Sequence, residues 1–116
     1  MSSLTQFLDL FLWMLAGHAL MDYALQSDFM AHHKDPSNTS YDKAKYGPWW
    51  WTMLAHSILN GLAVKLVTGQ WLLGIGETVI HFLADYQKCK GEIDARSDQA
   101  IHVLCKVLWA VSAVAS

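Results

Sequence analysis

The sequence predicts an all-α protein, a four-helix up-down bundle that spans a membrane. Four apolar stretches recur along its 116 residues, with apolar residues at 53% of the chain and charged residues at only 16%. Soluble domains average about 45–50% apolar and about 25% charged residues. The length fits one domain, residues 1–116, because domains usually contain about 100–200 residues.

Each apolar stretch is long enough to cross a hydrocarbon core as a helix, which takes about 20 residues. Gly47 and Pro48 open the second helix, since proline is permitted in a first turn. Gly69 ends it, Gly91 ends the third, and Ser97 is the expected N-cap of the fourth. The predicted helices cover about residues 4–25, 48–67, 70–87 and 98–115.

Tryptophans and basic residues lie at the ends of these stretches. Trp49–Trp51 and Trp71 open the second and third helices, as in the aromatic belts of membrane proteins. The first and third connections carry most of the basic residues: Lys34, Lys43, Lys45, Lys88, Lys90 and Arg96. The positive-inside rule then predicts that the first and third connections lie in the cytoplasm and that both termini lie outside. A soluble bundle with solvated charged loops is the alternative.

The connection after the first helix is the least regular part of the chain. We expect Ser27–Lys34 to extend the first helix beyond the membrane, before the turn-forming residues that start at Asp35. His32 and His33 lie in this segment and are expected either to be solvated or to fold over the end of the bundle.

Composition excludes several classes of protein. A net charge of −2 and a pI of about 6.3 exclude a basic nucleic-acid binder. Two cysteines, Cys89 and Cys105, are too few for a disulfide scaffold and are expected to be free thiols. The chain also contains no phosphate loop, dinucleotide fingerprint or H-E-x-x-H motif.

Polar residues recur inside the apolar stretches at a spacing of four. In a helix, residues four apart share one face. Each predicted helix therefore points a histidine and an oxygen-bearing side chain in the same direction, at similar depth. The pairs are His18 with Asp22, His56 with Asn60, His81 with Asp85, and Asp98 with His102.

These residues predict a buried site for a divalent metal, with zinc as the first expectation and manganese or iron as alternatives. Asp98, Asn60 and Gln26 are expected to orient the metal ligands without binding the metal themselves. A purely structural polar network and a proton or ion relay are the other interpretations of the same residues. The expected ligands are His18, Asp22, His56, His81, Asp85 and His102.

If the protein is an enzyme, metal-assisted hydrolysis is the expected reaction, because a bound metal lowers the pKa of water to about 7. Asp22, Asp85 and Glu77 are the candidate catalytic residues, although Glu77 could instead form a structural ion pair with Lys106. A phosphoester, a lipid and a nucleotide all remain possible substrates.

Two non-enzymatic hypotheses stay open. The chain could be a membrane module without catalysis that uses Trp49–Trp51 to bind a host membrane protein, or it could be a soluble all-α metal-binding protein. The expected partners are the lipid bilayer and a second copy of the chain or a host membrane protein, and not nucleic acid.

Three blocks resemble a known family. Gly17–Ala31 fits the signature H-x-L-x-D-x-x-L-Q-x-x-x-M-A, His81–Lys88 fits H-F-x-x-D-x-x-K, and His56 lies in the second helix between them. These blocks resemble domain of unknown function 3307, a family of small multi-pass membrane proteins of bacteria and phages. The resemblance implies a bacterial inner membrane, but it implies no activity.

Overall fold

The protein is built from four long helices and two short ones. The structure, a computed structural model, describes residues 2–116 and contains no strand in that range. This confirms the all-α prediction, and the long helices lie within a few residues of their predicted positions. The helices are α1 (Ser3–Ala19, continued by a π-helix at Leu20–Ala24), α2 (Asp28–His33), α3 (Lys43–Tyr46), α4 (Trp49–Thr68), α5 (Trp71–Cys89) and α6 (Ala95–Ala115).

Helix α6 begins three residues earlier than predicted, so the prediction that Ser97 is its N-cap was wrong. Asp94 is the cap: its side chain accepts a hydrogen bond of 2.7 Å from the backbone N–H of Ser97. That N–H also holds the pKa of the Asp94 carboxyl below its usual range. Asp and Ser are equally good caps, and the helix formers Ala95 and Arg96 let α6 start at the earlier one.

The first long helix ends in a π-turn rather than continuing through Ser27–Lys34. The backbone N–H of Leu25 donates to the carbonyl of Leu20, five residues back, at 2.8 Å. Ser27 then caps the separate helix α2, because its hydroxyl accepts from the N–H of Met30 at 3.1 Å. The predicted extension was therefore wrong, since a serine side chain can compete for the backbone donors. Single π-turns recur at functional sites, and this one contains Asp22.

The long helices pack around a common axis. Helix α1 contacts α4 and α6, and α5 contacts the same two helices. The start of α5 and the end of the chain meet where the Gln70 amide donates to the Ser116 hydroxyl at 2.8 Å. Helices α4 and α5 approach closest at Gly61 and Gly74, where a Cβ on Gly61 would lie 2.5 Å from the Gly74 carbonyl oxygen.

The interior is polar and the surface is apolar. Many of the best buried side chains are ionisable or amide groups, while the apolar core is a small cluster of Met14, Val64, Leu73 and Ala110. Large hydrophobic side chains are exposed along all four long helices, among them Leu12, Trp13, Leu66, Leu72 and Leu104. By length and composition, two helices are apolar enough to cross a membrane, Ser3–Ala24 and Ala95–Ala115.

Candidate metal centre

The carboxylate of Asp22 lies among three histidines from three helices. Its Oδ1 is 3.1 Å from His56 Nε2 and 3.4 Å from His81 Nε2, and its Oδ2 is 3.5 Å from His18 Nε2. The Nε2 atoms of His56 and His81 are 3.1 Å apart. The structure therefore brings together four residues that the sequence placed on the faces of three different helices.

These spacings are close to the donor spacing around a small metal ion. Tetrahedral zinc with bonds of about 2.0–2.2 Å separates its ligand atoms by about 3.3–3.6 Å. Five donor pairs, with Asp85 included, are 3.1 to 3.6 Å apart, and the two pairs at 3.1 Å would have to open slightly around an ion. The buried Nδ1 atoms of His18, His56 and His81 have no hydrogen-bond partner, so the hydrogen bonds of these rings are made by the Nε2 atoms that face the cluster.

Asp85 lies at the edge of the cluster, between a histidine and two ammonium groups. Its Oδ2 is 3.6 Å from His56 Nε2 and accepts a hydrogen bond of 2.5 Å from Lys34 Nζ. Its Oδ1 lies 3.1 Å from Lys88 Nζ. The Lys34 ammonium also donates to Gln26 Oε1 at 2.6 Å, and Lys34 is only 3% exposed.

Sequence reasoning assigned Lys34 to a charged loop and missed this contact. One feature of the sequence could have indicated this contact. The long helices contain four carboxylates near the histidines but only two lysines close to them in sequence, Lys88 and Lys106; the carboxylates are Asp22, Glu77, Asp85 and Asp98. Buried charges need partners, so this imbalance indicates that a cation must enter from outside the apolar stretches.

The segment that carries Lys34 folds over the end of the bundle. His33 is 5% exposed, and its Nδ1 and Nε2 lie 2.6 Å from Thr52 Oγ1 and 3.1 Å from the Gly47 carbonyl. Its ring also stacks on Phe29, with centroids 5.0 Å apart. Of the two expectations for this histidine, the structure therefore shows the folded-over one. His32 is exposed.

His102 lies beside the cluster and not around Asp22. Its Nε2 is 3.1 Å from Asp98 Oδ1, and its ring stacks on His81 with centroids 4.2 Å apart. Gln99, which directly follows Asp98, places its Oε1 2.9 Å from His18 Nε2. The sequence singled out Asp98 as a residue that orients ligands but gave no reason to select Gln99.

Two amide side chains predicted to support the ligands do contact Asp22 or its partners. Asn60 Nδ2 lies 3.3 Å from Asp22 Oδ1, and Gln26 Nε2 donates to the Asp22 carbonyl at 3.1 Å. Through its Oε1, Gln26 also accepts from Lys34. Asn60 therefore holds the Asp22 carboxylate, and Gln26 holds the Asp22 backbone and the Lys34 ammonium.

Glu77 and Lys106 form a buried ion pair, each 1% exposed. Trp109 Nε1 donates to the second carboxylate oxygen of Glu77 at 2.8 Å. The first oxygen also lies 3.6 Å from His81 Nδ1, so this carboxylate is the nearest acceptor for the outward nitrogen of that histidine. The geometry shows the expected ion pair, and a catalytic role for Glu77 stays a prediction.

Among the described residues, three overlapping groups could hold a metal ion, each with ligand atoms within 4.8 Å of one another, and none of the three contains both His18 and His56. His81 belongs to all three groups and is therefore the centre of the arrangement. These residues do not determine which metal would bind. The groups are His18, Asp22 and His81; His56, His81 and Asp85; and Glu77, His81 and His102.

Cys89 and Cys105 are free thiols, as predicted. Comparisons of the chain with protein-family models, with curated proteins and with solved structures found no match. The resemblance to domain of unknown function 3307 therefore stays a prediction, and the function must be argued from the geometry of the site.

Proposed function

We propose that this chain is a multi-pass membrane protein whose four long helices form an up-down bundle around one divalent metal ion, which it uses for hydrolysis. The observation that carries the proposal is the convergence of the Nε2 atoms of His18, His56 and His81 on the carboxylate of Asp22, at 3.1–3.5 Å.

A membrane environment explains why the molecule is polar inside and apolar outside. Leu66 and Leu72 are 70% and 78% exposed, while the interior holds histidines and ion pairs. In water, so much exposed apolar surface is unfavourable, whereas in a bilayer it faces lipid. The close approach of Gly61 and Gly74 also supports this environment, because small residues are typical of helix contacts in membranes.

The charge distribution supports one orientation. The first and third connections carry most of the basic residues, while only Lys65 lies near the opposite end. By the positive-inside rule, the end with these connections faces the cytoplasm of a bacterial inner membrane. At that end Trp50 and Trp51 are 47% and 56% exposed, as expected for an interfacial belt. The metal site then opens toward the cytoplasm, and both termini lie outside.

Each residue of the site has a distinct task in this proposal. His18, His56, His81 and Asp22 would hold the metal in a site that leaves a fifth position for water, and zinc is favoured because imidazole and carboxylate are common zinc ligands. The metal would supply a nucleophilic water at neutral pH. Asp85 would accept the proton of that water, and the ammonium groups of Lys34 and Lys88 orient its carboxylate.

Metal content tests the proposal. Protein without a His tag would be purified in detergent and analysed by inductively coupled plasma mass spectrometry, in parallel with the His18→Ala/His81→Ala variant. We expect about one equivalent of zinc, manganese or iron in the wild type and almost none in the variant. The exposed His32 supplies a matched control, since His32→Ala should keep the metal.

Hydrolysis needs a separate measurement. Metal-loaded protein would be screened against phosphoester, lipid and nucleotide substrates, with Asp85→Asn as the inactive comparison. No metal in a folded wild type would overturn the metal site and favour a structural polar network in a partner-binding membrane module. Metal without hydrolysis of any substrate would overturn only the enzymatic part.

A further inference from the structure

A polar cavity of about 240 Å³ adjoins the histidine cluster at the end where the charged connections lie. It is lined by Asp22, Gln26 and Lys34 on one side and by Lys88, Asp98 and Gln99 on the other. This volume is several times the roughly 30 Å³ that one water occupies in the liquid. The cavity can therefore hold a molecular group larger than the water that hydrolysis consumes.

The charges around the cavity do not balance once a metal is bound. Three carboxylates, those of Asp22, Asp85 and Asp98, face the two ammonium groups of Lys34 and Lys88. A divalent ion held by neutral histidines then leaves one positive charge in excess. Such an excess favours an anion in the cavity.

We propose that this cavity binds the phosphate group of a phosphoester substrate next to the metal, an inference that rests on the proposed function. Lys88 is the principal contact. Its Nζ lies 3.1 Å from Asp85 Oδ1 and 3.6 Å from Asp98 Oδ2, and its side chain is 32% exposed, so an N–H is free to point into the cavity.

The arrangement of donors selects phosphate over a planar carboxylate. The ammonium groups of Lys34 and Lys88 and the amides of Gln26 and Gln99 line the cavity from separate helices and the connecting segment; each amide uses one N–H within the protein, on the Asp22 carbonyl or the Asp98 carboxylate, and keeps a second. Donors spread in this way suit a tetrahedral group with several charged oxygens. Lysine and metal clamps are also the usual way to stabilise a phosphoryl group during transfer.

The implied reaction is balanced with water as the only co-reactant. The water oxygen forms a bond to phosphorus as the bond between phosphorus and the leaving oxygen breaks. The water proton passes to Asp85 and then to the leaving oxygen, so the products are an alcohol and a phosphate. Asp85 lies between both ammonium groups, close to the cavity wall.

Binding of inorganic phosphate tests the inference directly. Metal-loaded and metal-free wild type in detergent would be titrated with phosphate by isothermal titration calorimetry. We expect binding to the metal-loaded form alone. Lys88→Met should weaken it by about tenfold or more, because a hydrogen bond to a charged group is lost, whereas Lys88→Arg should retain it. Lys90→Met is the matched control, since that exposed lysine lies two residues away and should bind phosphate like the wild type.

A second arm distinguishes the source of the phosphate. Protein in nanodiscs of phosphatidylcholine with or without phosphatidic acid would be titrated with inorganic phosphate. Weaker phosphate binding in the discs that contain phosphatidic acid identifies a lipid headgroup as the natural occupant. Equal binding in both kinds of disc identifies a soluble phosphoester.

Two results overturn the inference: metal-loaded wild type that does not bind phosphate, or Lys88→Met that binds it as tightly as the wild type. Metal content is measured on the same samples. A failure of this inference, with metal present and phosphate unbound, is therefore distinct from a failure of the proposed function, with no metal at all.

Discussion

The ammonium of Lys34 lies 2.5 Å from Asp85 Oδ2, although the two residues are 51 positions apart in the sequence. This contact ties the segment after α2 to the C-terminal part of α5. It also places a fixed positive charge beside the histidine cluster, where it holds the Asp85 carboxylate in one orientation.

Replacing Lys34 should destabilise the protein, and bound metal should reduce this loss of stability. Lys34→Met leaves the Asp85 carboxylate without its closest cation. Loss of one member of a buried ion pair costs about 3–5 kcal/mol. We expect a lower melting temperature in detergent for metal-free protein and a smaller decrease after zinc addition, measured by the change in tryptophan fluorescence. Lys43→Met, at an exposed position, is the control and should melt like the wild type.

The Glu77–Lys106 pair should behave as a structural unit. Glu77→Gln alone leaves the Lys106 ammonium buried without a counter-charge and should cost about 3–5 kcal/mol. The double variant Glu77→Gln/Lys106→Met removes both charges and should recover most of that loss, while the amide can still accept from Trp109. Equilibrium unfolding in mixed detergent micelles measures both. A double variant that folds well but loses its metal would instead place Glu77 among the ligands.

Asp22 should be essential for metal affinity. Asp22→Asn keeps the shape of the side chain but removes the charge that His18, His56 and His81 share. We expect metal affinity to fall by at least about 10–100-fold, the loss typical even of residues that only support a ligand. Competition with a fluorescent zinc chelator gives the affinity. Asp9→Asn, an exposed aspartate on the same helix, should bind zinc like the wild type.

The contact between α4 and α5 should not tolerate a side chain at Gly61. A Cβ there would meet Thr78 Oγ1 at 1.9 Å and the Gly74 carbonyl oxygen at 2.5 Å, and the backbone atom cannot rotate away. Gly61→Ala should therefore cost about 1–3 kcal/mol, visible as easier unfolding in mixed detergent micelles. Leu62→Ala, at a neighbouring outward-facing position that is 39% exposed, should cost much less. Equal stability of both variants would contradict this packing.

Cysteine labelling tests the membrane orientation. Ser40→Cys and Ser116→Cys would be made in a Cys89→Ser/Cys105→Ala background and treated with a membrane-impermeant maleimide. Position 116 should react in intact spheroplasts, and position 40 only after lysis, because the proposed orientation puts the basic connections in the cytoplasm. The reverse pattern would contradict the orientation, and labelling of both in a soluble fraction would contradict the membrane location.

The sequence by itself predicted the helices and the polar faces. The spacing of four in His18 with Asp22 and in His81 with Asp85 requires only the geometry of one helix, so it could be recognised without a tertiary structure. Helix ends were less certain where two residues competed for one role, as Asp94 and Ser97 did at the start of α6.

Only the tertiary structure decided which faces meet. It placed His56 Nε2 and His81 Nε2 3.1 Å apart, stacked His102 on His81, and brought Lys34 and Gln99 into the site. The physical reason is that these contacts depend on how the helices rotate against one another and on how a connecting segment folds back. Periodicity along one helix carries no information on either, whereas packing and the pairing of buried charges determine both.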